Sequence, residues 1–524
     1  MNQSKKSRVY NVLTNSMIGT LSAVMNILIN LGVRVAIVHT LGEEINGLHN
    51  LFQSLLSVMA VVETSMMTAM IIHMYDPVKQ RDMETIASTM SLYQRIYAVI
   101  ALLVLGMGGV LCLFMDRIVQ STLALQTVQA YFLVFLTSAV VNYLTFSHRI
   151  ILFAEQKNRI SALATLGAEL IFRTGGLVAA WLMGSYVYYL LCLIGEKLFG
   201  NLVCRVYVRR AYPEGDWSLR RRTDPALRQK ITGTVKPLFV SQLANVLQNS
   251  SQSILISMLL GSLAVVGHYG NYQMVVGSVG LLYSQIGAAF TSSFGNLATE
   301  KQQARMYNAY QRTVTLMRIL TIVICAGFLV CIQDFIAMVF GPGFLLSNEA
   351  VWILTATMFV TLVNIPVVSV QNAMGLHRCD ARLMVLQAVL AVALGYLGGR
   401  YWGIEGILLG MLLPLIALTT VWKGILVLRL AFGSAWQEHV VCMLRLAGKG
   451  ALACGVCGAV CSAIGTGSLL LDILLKGCTA ILLSLTIFHF TSLGNTWYNN
   501  LLGSVRKRLA VLYRKFVRKG TADA

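Results

Sequence analysis

Apolar runs of membrane-spanning length recur along the whole sequence, and they constrain the fold more than any other feature. Only 12% of the residues are charged and 56% are hydrophobic, which excludes an ordinary soluble enzyme of this size. The length and composition of the runs favour helices over the weakly alternating strands of an outer-membrane barrel. Fourteen spans are predicted, at residues 12–38, 45–74, 92–114, 123–144, 160–183, 186–206, 238–260, 269–294, 313–332, 350–373, 383–397, 406–428, 446–464 and 469–490. The sequence therefore predicts an all-α polytopic membrane protein with about 14 transmembrane helices.

The loops between these spans predict the orientation of the chain. If the N-terminus is cytoplasmic, basic residues such as Lys79, Arg159 and Arg312 fall in the inner loops, and acidic residues such as Glu43 and Asp334 fall in the outer loops. Because the positive-inside rule places Lys and Arg in cytoplasmic loops, both termini are predicted to be cytoplasmic. The same rule accounts for most of the net charge of +20, so nucleic acid is not an expected partner.

The sequence contains an internal repeat with an offset of about 219 residues. The matching positions include polar residues and a glycine, in the order Ser22, Asn26, Asn30, Gly47 and Gln53 onto Ser241, Asn245, Asn249, Gly267 and Gln273. Each copy holds six spans, so the copies enter the membrane in the same direction and form a parallel repeat of two lobes. The predicted domains are an N-terminal lobe at 1–208, a basic cytoplasmic linker at 209–237, a C-terminal lobe at 238–430, additional helices 13 and 14 at 440–492, and a basic amphipathic cytoplasmic tail at 500–524 on the anionic inner leaflet.

Polar residues and one glycine recur every three or four residues in the first span, which places them on one helix face. They are Asn15, Gly19, Ser22, Asn26, Asn30 and Arg34, and the seventh span repeats the pattern with Gln242, Asn245, Asn249 and Gln252. Arg34 should face a cavity or a partner, because a charge at the centre of a membrane helix costs about 2.5–3.5 kcal/mol. These stripes predict a hydrated central cavity; the alternative is that the amides hydrogen-bond neighbouring helices.

Other charged residues inside the spans have several interpretations. Glu63 could neutralise Arg34, couple transport to an ion, or serve as a structural partner. Glu169 with Arg173, and Asp472 with Lys476, are opposite charges four residues apart, which favours structural pairs. Arg318 in the ninth span is a weaker cavity candidate.

The sequence contains no catalytic constellation, so the protein is not predicted to be an enzyme. A nucleotide-binding glycine loop followed by Lys and Ser or Thr is missing from the sequence, and the loops are too short to form an extramembrane domain. Cys454, Cys457 and Cys461 share one helix face among Ala and Gly, which favours helix packing over a metal site. No cofactor, metal or catalytic residue is therefore predicted.

The span count, the six-plus-six repeat and the final helix pair resemble the multidrug/oligosaccharidyl-lipid/polysaccharide (MOP) exporter superfamily. More narrowly, the chain resembles the Wzx-type polysaccharide flippases that move undecaprenyl-pyrophosphate-linked repeat units. The N-terminal stretch carries the likeness best, in Tyr10-Asn11, Leu41-Gly42, Asn46-Gly47-Leu48, Asn50-Leu51-Phe52 and Ser91-Leu92-Tyr93. The resemblance implies a polar or cationic cavity lined by spans one, two, seven and eight that takes the pyrophosphate and the sugars, and extra helices that accommodate the lipid tail.

The resemblance also implies roles for the polar residues of the spans. Arg34 would be the phosphate partner, and the amides would hydrogen-bond sugar or phosphate: Asn26, Asn30, Gln53, Asn245, Asn249 and Gln273. In the second lobe Ser253 stands where Arg34 would repeat, so the cavity is not symmetric.

The implied function is a flippase that translocates undecaprenyl-pyrophosphate-linked oligosaccharide repeat units across the bacterial cytoplasmic membrane by alternating access, for capsule, O-antigen or exopolysaccharide biosynthesis. The implied partners are the lipid-linked oligosaccharide, the lipids of the anionic inner leaflet, and a polysaccharide polymerase and glycosyltransferases. The alternatives are a peptidoglycan lipid-precursor flippase, a cation-coupled multidrug exporter, a membrane-embedded glycan polymerase or ligase, and a membrane scaffold that only binds.

Overall fold

The computed structural model describes residues 2–214, 225–299, 303–376, 381–433, 436–500 and 502–503, and every regular element in these ranges is helical. The α-helices are α1 (Asn2–Leu41), α2 (Glu43–Met59), α3 (Val61–Gln80), α4 (Met83–Leu113), α5 (Met115–Ile118), α6 (Leu125–Thr145), α7 (Arg149–Ala154), α8 (Asn158–Met183), α9 (Tyr186–Ala211), α10 (Pro225–Leu260), α11 (Leu263–Thr299), α12 (Gln303–Val339), α13 (Asn348–Met374), α14 (Ala381–Pro414), α15 (Gly424–Phe432), α16 (Trp436–Cys461) and α17 (Leu469–Ser492). Two 3₁₀ turns, Phe146–His148 and Pro342–Phe344, and a π-helical segment, Leu415–Lys423, complete the described elements. The predicted all-α membrane architecture is confirmed.

The helices have the length and surface of membrane spans. Among the described residues, ten segments are long and apolar enough to cross a membrane, or eleven if the bent pair α2 and α3 forms one span. One of these segments, Arg382–Phe432, contains a kink at Trp402 and Gly403 and so holds two helices. Large apolar side chains remain exposed, with Leu102 70%, Leu113 76% and Leu482 67% accessible, and hydrocarbon rather than water suits such a surface.

Local backbone chemistry explains where several helices end. Gly42 has a φ of 94°, a conformation that favours glycine, and it separates α1 from α2. At Ala60 the chain bends by 52° between α2 and α3. Asp82 caps α4, where its carboxylate accepts a hydrogen bond from the Thr85 backbone N–H at 3.0 Å. The π-helical segment directly follows Pro414, which lacks the N–H that a regular helix needs.

The first of two compact units comprises Met1–Leu282 and Ala381–Pro414. In it α8 packs against α1 and α9, α6 packs against α9, and α10 packs against α2, α3 and α14. Its core includes Tyr93 and Tyr97, whose rings stack with centroids 3.9 Å apart, and methionines of α3. The domain boundaries predicted from the repeat divide the chain in a different way, and they stay a prediction. Part of the predicted linker and most of the predicted tail, residues 215–224, 501 and 504–524, lie outside the described residues.

The second unit comprises Tyr283–Asp380 and Leu415–Ala524. Here α12 packs against α13, α16 and α17, and α16 packs against α15 and α17. The predicted packing role of the cysteine face is confirmed, because Cys457 and Cys461 are buried with their Sγ atoms 3.9 Å and 3.8 Å from backbone carbonyls of α17. The predicted Asp472–Lys476 pair is wrong: Lys476 Nζ lies 2.6 Å from the carboxylate of Asp334 on α12.

Candidate functional site

The polar face of α1 borders two cavities within the first unit. The arginine cavity, of about 420 Å³, is lined by α1, α2, α10 and α11 and includes Arg34. The ion-pair cavity, of about 430 Å³, is lined by α1, α2, α3, α6, α8 and α9 and includes Arg173 and Lys197. The two share Asn30, His49, Gln53 and Ser57. Six predicted site residues line one or both: Asn26, Asn30, Arg34, Gln53, Glu63 and Gln273.

Arg34 is held in the arginine cavity by neutral amides from two other helices. Its Nη2 donates to Asn50 Oδ1 at 2.9 Å, and its Nη1 donates to Asn271 Oδ1 at 3.3 Å. Asn46 Nδ2 donates to the same Asn271 oxygen at 3.1 Å, and Asn50 Nδ2 donates to Ser253 Oγ at 3.2 Å. Ser253, at the repeat position of Arg34, therefore belongs to the same network. Both described acceptors of Arg34 are uncharged, so they orient its guanidinium without neutralising it.

This network needs glycines where α2 and α11 approach each other. A Cβ at Gly270 would lie 2.6 Å from Asn50 Cγ and 2.8 Å from Arg34 Nη1. A Cβ at Gly47 would lie 1.8 Å from the Leu263 backbone oxygen, and one at Gly267 would lie 3.0 Å from the Gly47 nitrogen. Small residues allow such close backbone contact between membrane helices. Gly47 and Gly267 match in the sequence repeat, and the structure brings them into contact.

A charge network closes one side of the ion-pair cavity and joins α1, α8 and α9. Arg173 donates from Nε to Glu196 Oε2 at 2.9 Å, from Nη2 to Glu169 Oε1 at 3.1 Å and from Nη1 to Asn30 Oδ1 at 2.7 Å. Asn26 Nδ2 donates to Glu169 Oε2 at 2.6 Å, and Asn30 Nδ2 donates to Asn26 Oδ1 at 2.7 Å. The predicted Glu169–Arg173 pair is present, with Glu196 as an additional partner. Asn26 and Asn30 are thus fixed by a carboxylate and a guanidinium.

Lys197 and Glu63 line the other part of the ion-pair cavity. Lys197 Nζ lies 2.6 Å from Glu196 Oε1. Glu63 is half-buried, and its backbone carbonyl accepts a hydrogen bond from the Tyr97 hydroxyl at 2.8 Å. One predicted alternative was that Glu63 neutralises Arg34. The described contacts contain no such ion pair, and the hydrogen-bond acceptors of Arg34 are the amides of Asn271 and Asn50.

The two predicted glutamines have aromatic or histidine neighbours. Gln53 Nε2 lies 3.1 Å from His49 Nε2, while His49 Nδ1 lies 2.6 Å from the Tyr186 hydroxyl. Tyr269 donates its hydroxyl to Gln273 Oε1 at 3.2 Å. Both glutamines line the arginine cavity with their positions fixed by these contacts.

Some residues of the site were not predicted from the sequence, and the side chains of two predicted ones lie outside the described part of the chain. Glu196 and Lys197 lie in the sixth predicted span. A charged side chain inside a membrane helix is costly, and this argument, which identified Arg34, applies equally to them. His49 is buried and gave no comparable signal, because a single histidine in an apolar helix is common in protein cores. Asn245 and Asn249 were predicted site residues, but their side chains lie outside the described ones.

The chemistry offered by both cavities is hydrogen bonding and charge. Amides, hydroxyls, two guanidiniums, an ammonium and the Glu63 carboxylate line the two cavities, and cavities of roughly 300–1,000 Å³ suit small-molecule ligands. Within the described part of the chain, no group of three or more His, Cys, Asp or Glu side chains could hold a metal ion. The arrangement is therefore suited to reversible binding of a polar or anionic group.

Comparison with a family model relates the sequence to known proteins. The model described as "Polysaccharide biosynthesis protein" matches residues 12–294, a range that contains every predicted site residue. No match was found among the curated proteins.

Solved structures with a similar fold are membrane transporters. An inward-facing multidrug resistance MATE family transporter of the MOP superfamily has a TM-score of 0.62 at 16% identity, with 81% of this chain and 99% of that chain covered. Lipid II flippase MurJ in an inward closed conformation has a TM-score of 0.64 at 13% identity, covering 91% and 99%. The Vibrio cholerae MATE transporter VcmN in the bent form has a TM-score of 0.52 at 14% identity, covering 84% and 99%. At these identities the likeness concerns the fold.

Proposed function

The chain belongs to the polysaccharide biosynthesis protein family, and we propose that it is a flippase that translocates undecaprenyl-pyrophosphate-linked oligosaccharide repeat units across the bacterial cytoplasmic membrane by alternating access. Family and fold support the broader class, a flippase or exporter in a multi-pass membrane protein. The lipid-linked substrate, the compartment and the cytoplasmic position of both termini are parts of the proposal.

The observation that carries the proposal is the uncompensated charge of Arg34. Its side chain is only 9% exposed, yet its two described acceptors are amide oxygens. Burying a charge without an opposite charge is costly, so such a site gains from an anionic ligand. The planar guanidinium can present paired donors to phosphate oxygens, which suits a pyrophosphate. Phosphate oxygens that replaced the amide oxygens would supply the missing negative charge.

The surroundings of Arg34 suit the sugars of such a substrate. Asn30, Gln53 and Ser57 line both cavities and can donate to or accept from sugar hydroxyls. A carrier of this kind needs to shelter only the polar head group, since a prenyl chain can remain in hydrocarbon while the head group crosses. A route lined by amides and hydroxyls supplies the hydrogen bonds that the head group loses on leaving water.

The ion-pair cavity differs from the arginine cavity in its charge balance. Arg173 and Lys197 face Glu169 and Glu196, so these four side chains neutralise one another. Arg34 is therefore the better candidate for the anion, and the four-residue network is the better candidate for holding α1, α8 and α9 together. Glu63 lines the ion-pair cavity together with Lys197 and has no ion pair among the described contacts, and it is the residue we propose for ion coupling.

Variants of Arg34 test the proposal directly. Arg34→Ala should abolish transport while the protein inserts at its normal level, and Arg34→Lys should restore only part of it because an ammonium lacks the two-pronged geometry. Arg400→Gln, which removes an exposed basic residue of α14 outside both cavities, is the matched control and should transport normally. Normal transport by purified Arg34→Ala would refute the role of Arg34.

Deletion of the gene tests the wider assignment. Lipid-linked repeat units with complete sugars should then accumulate on the cytoplasmic side of the membrane. If the units instead reached the outer face and stayed unpolymerised, a polymerase would be the correct function. This experiment does not depend on any single residue.

A further inference from the structure

A second basic site lies in the second unit, between α12, α16 and the end of α17. Two cavities of about 410 Å³ and 770 Å³ share Thr315, Arg318, Cys442, Arg445 and Asn495, and we name their union the basic pocket. Lys449 lines the larger of the two. Among the described residues no acidic side chain lines either cavity.

No described ion pair neutralises Lys449 or Arg318 of the basic pocket. Lys449 Nζ donates to Ser492 Oγ at 2.7 Å and lies 5.2 Å from the centre of the Phe488 ring. Arg318 Nε is buried and has no hydrogen-bond partner. A buried donor without a partner is rare in native structures and is costly unless a ligand or water satisfies it. The positive-inside rule explains basic residues in loops, but it does not explain a half-buried arginine within α12.

An apolar cavity of about 340 Å³ adjoins the basic pocket. It lies between α13, the π-helical segment and α16, and its lining is almost entirely hydrocarbon and aromatic, including Trp352, Phe359 and Met443. His439 lines both this cavity and the basic pocket. A cationic space and an apolar space thus meet at one side chain, which matches a molecule with an anionic head and a hydrocarbon chain.

We propose that the basic pocket binds the phosphate group of a membrane lipid, with Arg318 and Arg445 on the phosphate oxygens and a hydrocarbon chain in the apolar cavity. Guanidinium groups bind phosphate through charge-assisted hydrogen bonds, and Lys449 adds a third positive charge. Asn495 and Thr315 offer hydrogen bonds to the rest of the head group. In the predicted orientation this end of α12 lies at the cytoplasmic leaflet. The site is separate from Arg34 and does not require the proposed transport function.

Lipid titration of the purified full-length protein tests the site. Native mass spectrometry of delipidated protein should detect saturable binding of phosphatidylglycerol, and Arg318→Gln/Arg445→Gln should weaken it at least about tenfold, the lower range for a lost charge-assisted hydrogen bond. Arg429→Gln is the matched control, because Arg429 is an exposed basic residue of α15 outside the basic pocket, and it should bind normally. If the double variant does not fold, Arg445→Gln alone, on the exposed side of α16, should weaken binding in the same direction.

Two further probes identify the source of the phosphate. Tighter binding of undecaprenyl phosphate than of phosphatidylglycerol would support the pocket as a docking site for the prenyl carrier, and equal binding would support a site for bulk anionic phospholipid. Inorganic phosphate should compete poorly, because it cannot use the apolar cavity. Full competition by inorganic phosphate at the same concentration, or phosphatidylglycerol binding that is unchanged in the arginine variants, would overturn the proposal.

Discussion

Asn271→Asp would neutralise Arg34 without changing the lining of the arginine cavity. Asn271 is fully buried and does not line that cavity, and its Oδ1 already accepts from Arg34 and Asn46. Its Nδ2 has no hydrogen-bond partner, so replacing that nitrogen by a carboxylate oxygen removes no donated bond. The substitution therefore changes the charge beside Arg34 and little else.

The expected magnitudes follow from the geometry. At the 3.3 Å between Arg34 Nη1 and Asn271 Oδ1, opposite unit charges attract by about 5 kcal/mol at an effective dielectric constant near 20. Desolvation of the new carboxylate offsets much of this attraction, so we expect little change in thermal stability. A phosphate would lose most of its charge-assisted attraction, about 1.5–3 kcal/mol, and transport at low substrate concentration should fall roughly 10- to 150-fold.

Transport of lipid-linked oligosaccharide into proteoliposomes, normalised to inserted protein, is the assay. Asn271→Leu is the control, since it removes an acceptor but leaves Arg34 positively charged. It should lower stability by about 1–3 kcal/mol, as expected when a buried hydrogen-bonding group loses its partner, yet keep more transport per folded molecule than Asn271→Asp. If Asn271→Asp transported at the wild-type rate, the open charge of Arg34 would not be what binds substrate.

Three other predictions concern the first unit. Gly270→Ala should displace the guanidinium, cost about 1–3 kcal/mol of stability and reduce transport, because its Cβ would lie 2.8 Å from Arg34 Nη1; Gly277→Ala, which lines the same cavity but meets nothing within 4 Å, should do neither in thermal-melting and transport assays. Glu63→Gln should lower transport less than Arg34→Ala and should remove its dependence on an ion gradient, so transport that stays gradient-dependent would exclude Glu63 as the coupling residue. Cysteines at Glu43 and Lys79 should react with an impermeant thiol reagent from outside and from inside respectively, and the reverse labelling would contradict the predicted orientation.

The sequence alone determined the class of fold and the helix order. Hydropathy is a local property, and each predicted span overlaps a described helix, although the second span is divided into α2 and α3. The polar face of α1 was also predictable, because the helical repeat fixes which side chains share a face. Asn26, Asn30 and Arg34 line the cavities, and they also hydrogen-bond side chains of neighbouring helices, which was the predicted alternative.

Only the tertiary structure decided which partners these residues have. Arg34 takes its acceptors from positions 16 and 237 residues away, and Arg173 adds Glu196 of α9 to the neighbour predicted on its own helix.

The Asp472–Lys476 prediction failed for the same physical reason. Spacing of four residues brings two side chains within reach but does not make them partners, because each side chain takes the best contact that packing offers. The Asp472 carboxylate accepts from the Thr466 backbone N–H and hydroxyl, both at 2.8 Å, at the start of α17. Lys476 then reaches Asp334, 142 residues away, across the interface with α12. Within a membrane a charge must find an opposite charge or a hydrogen bond, and only the packing of the helices determines which one is near.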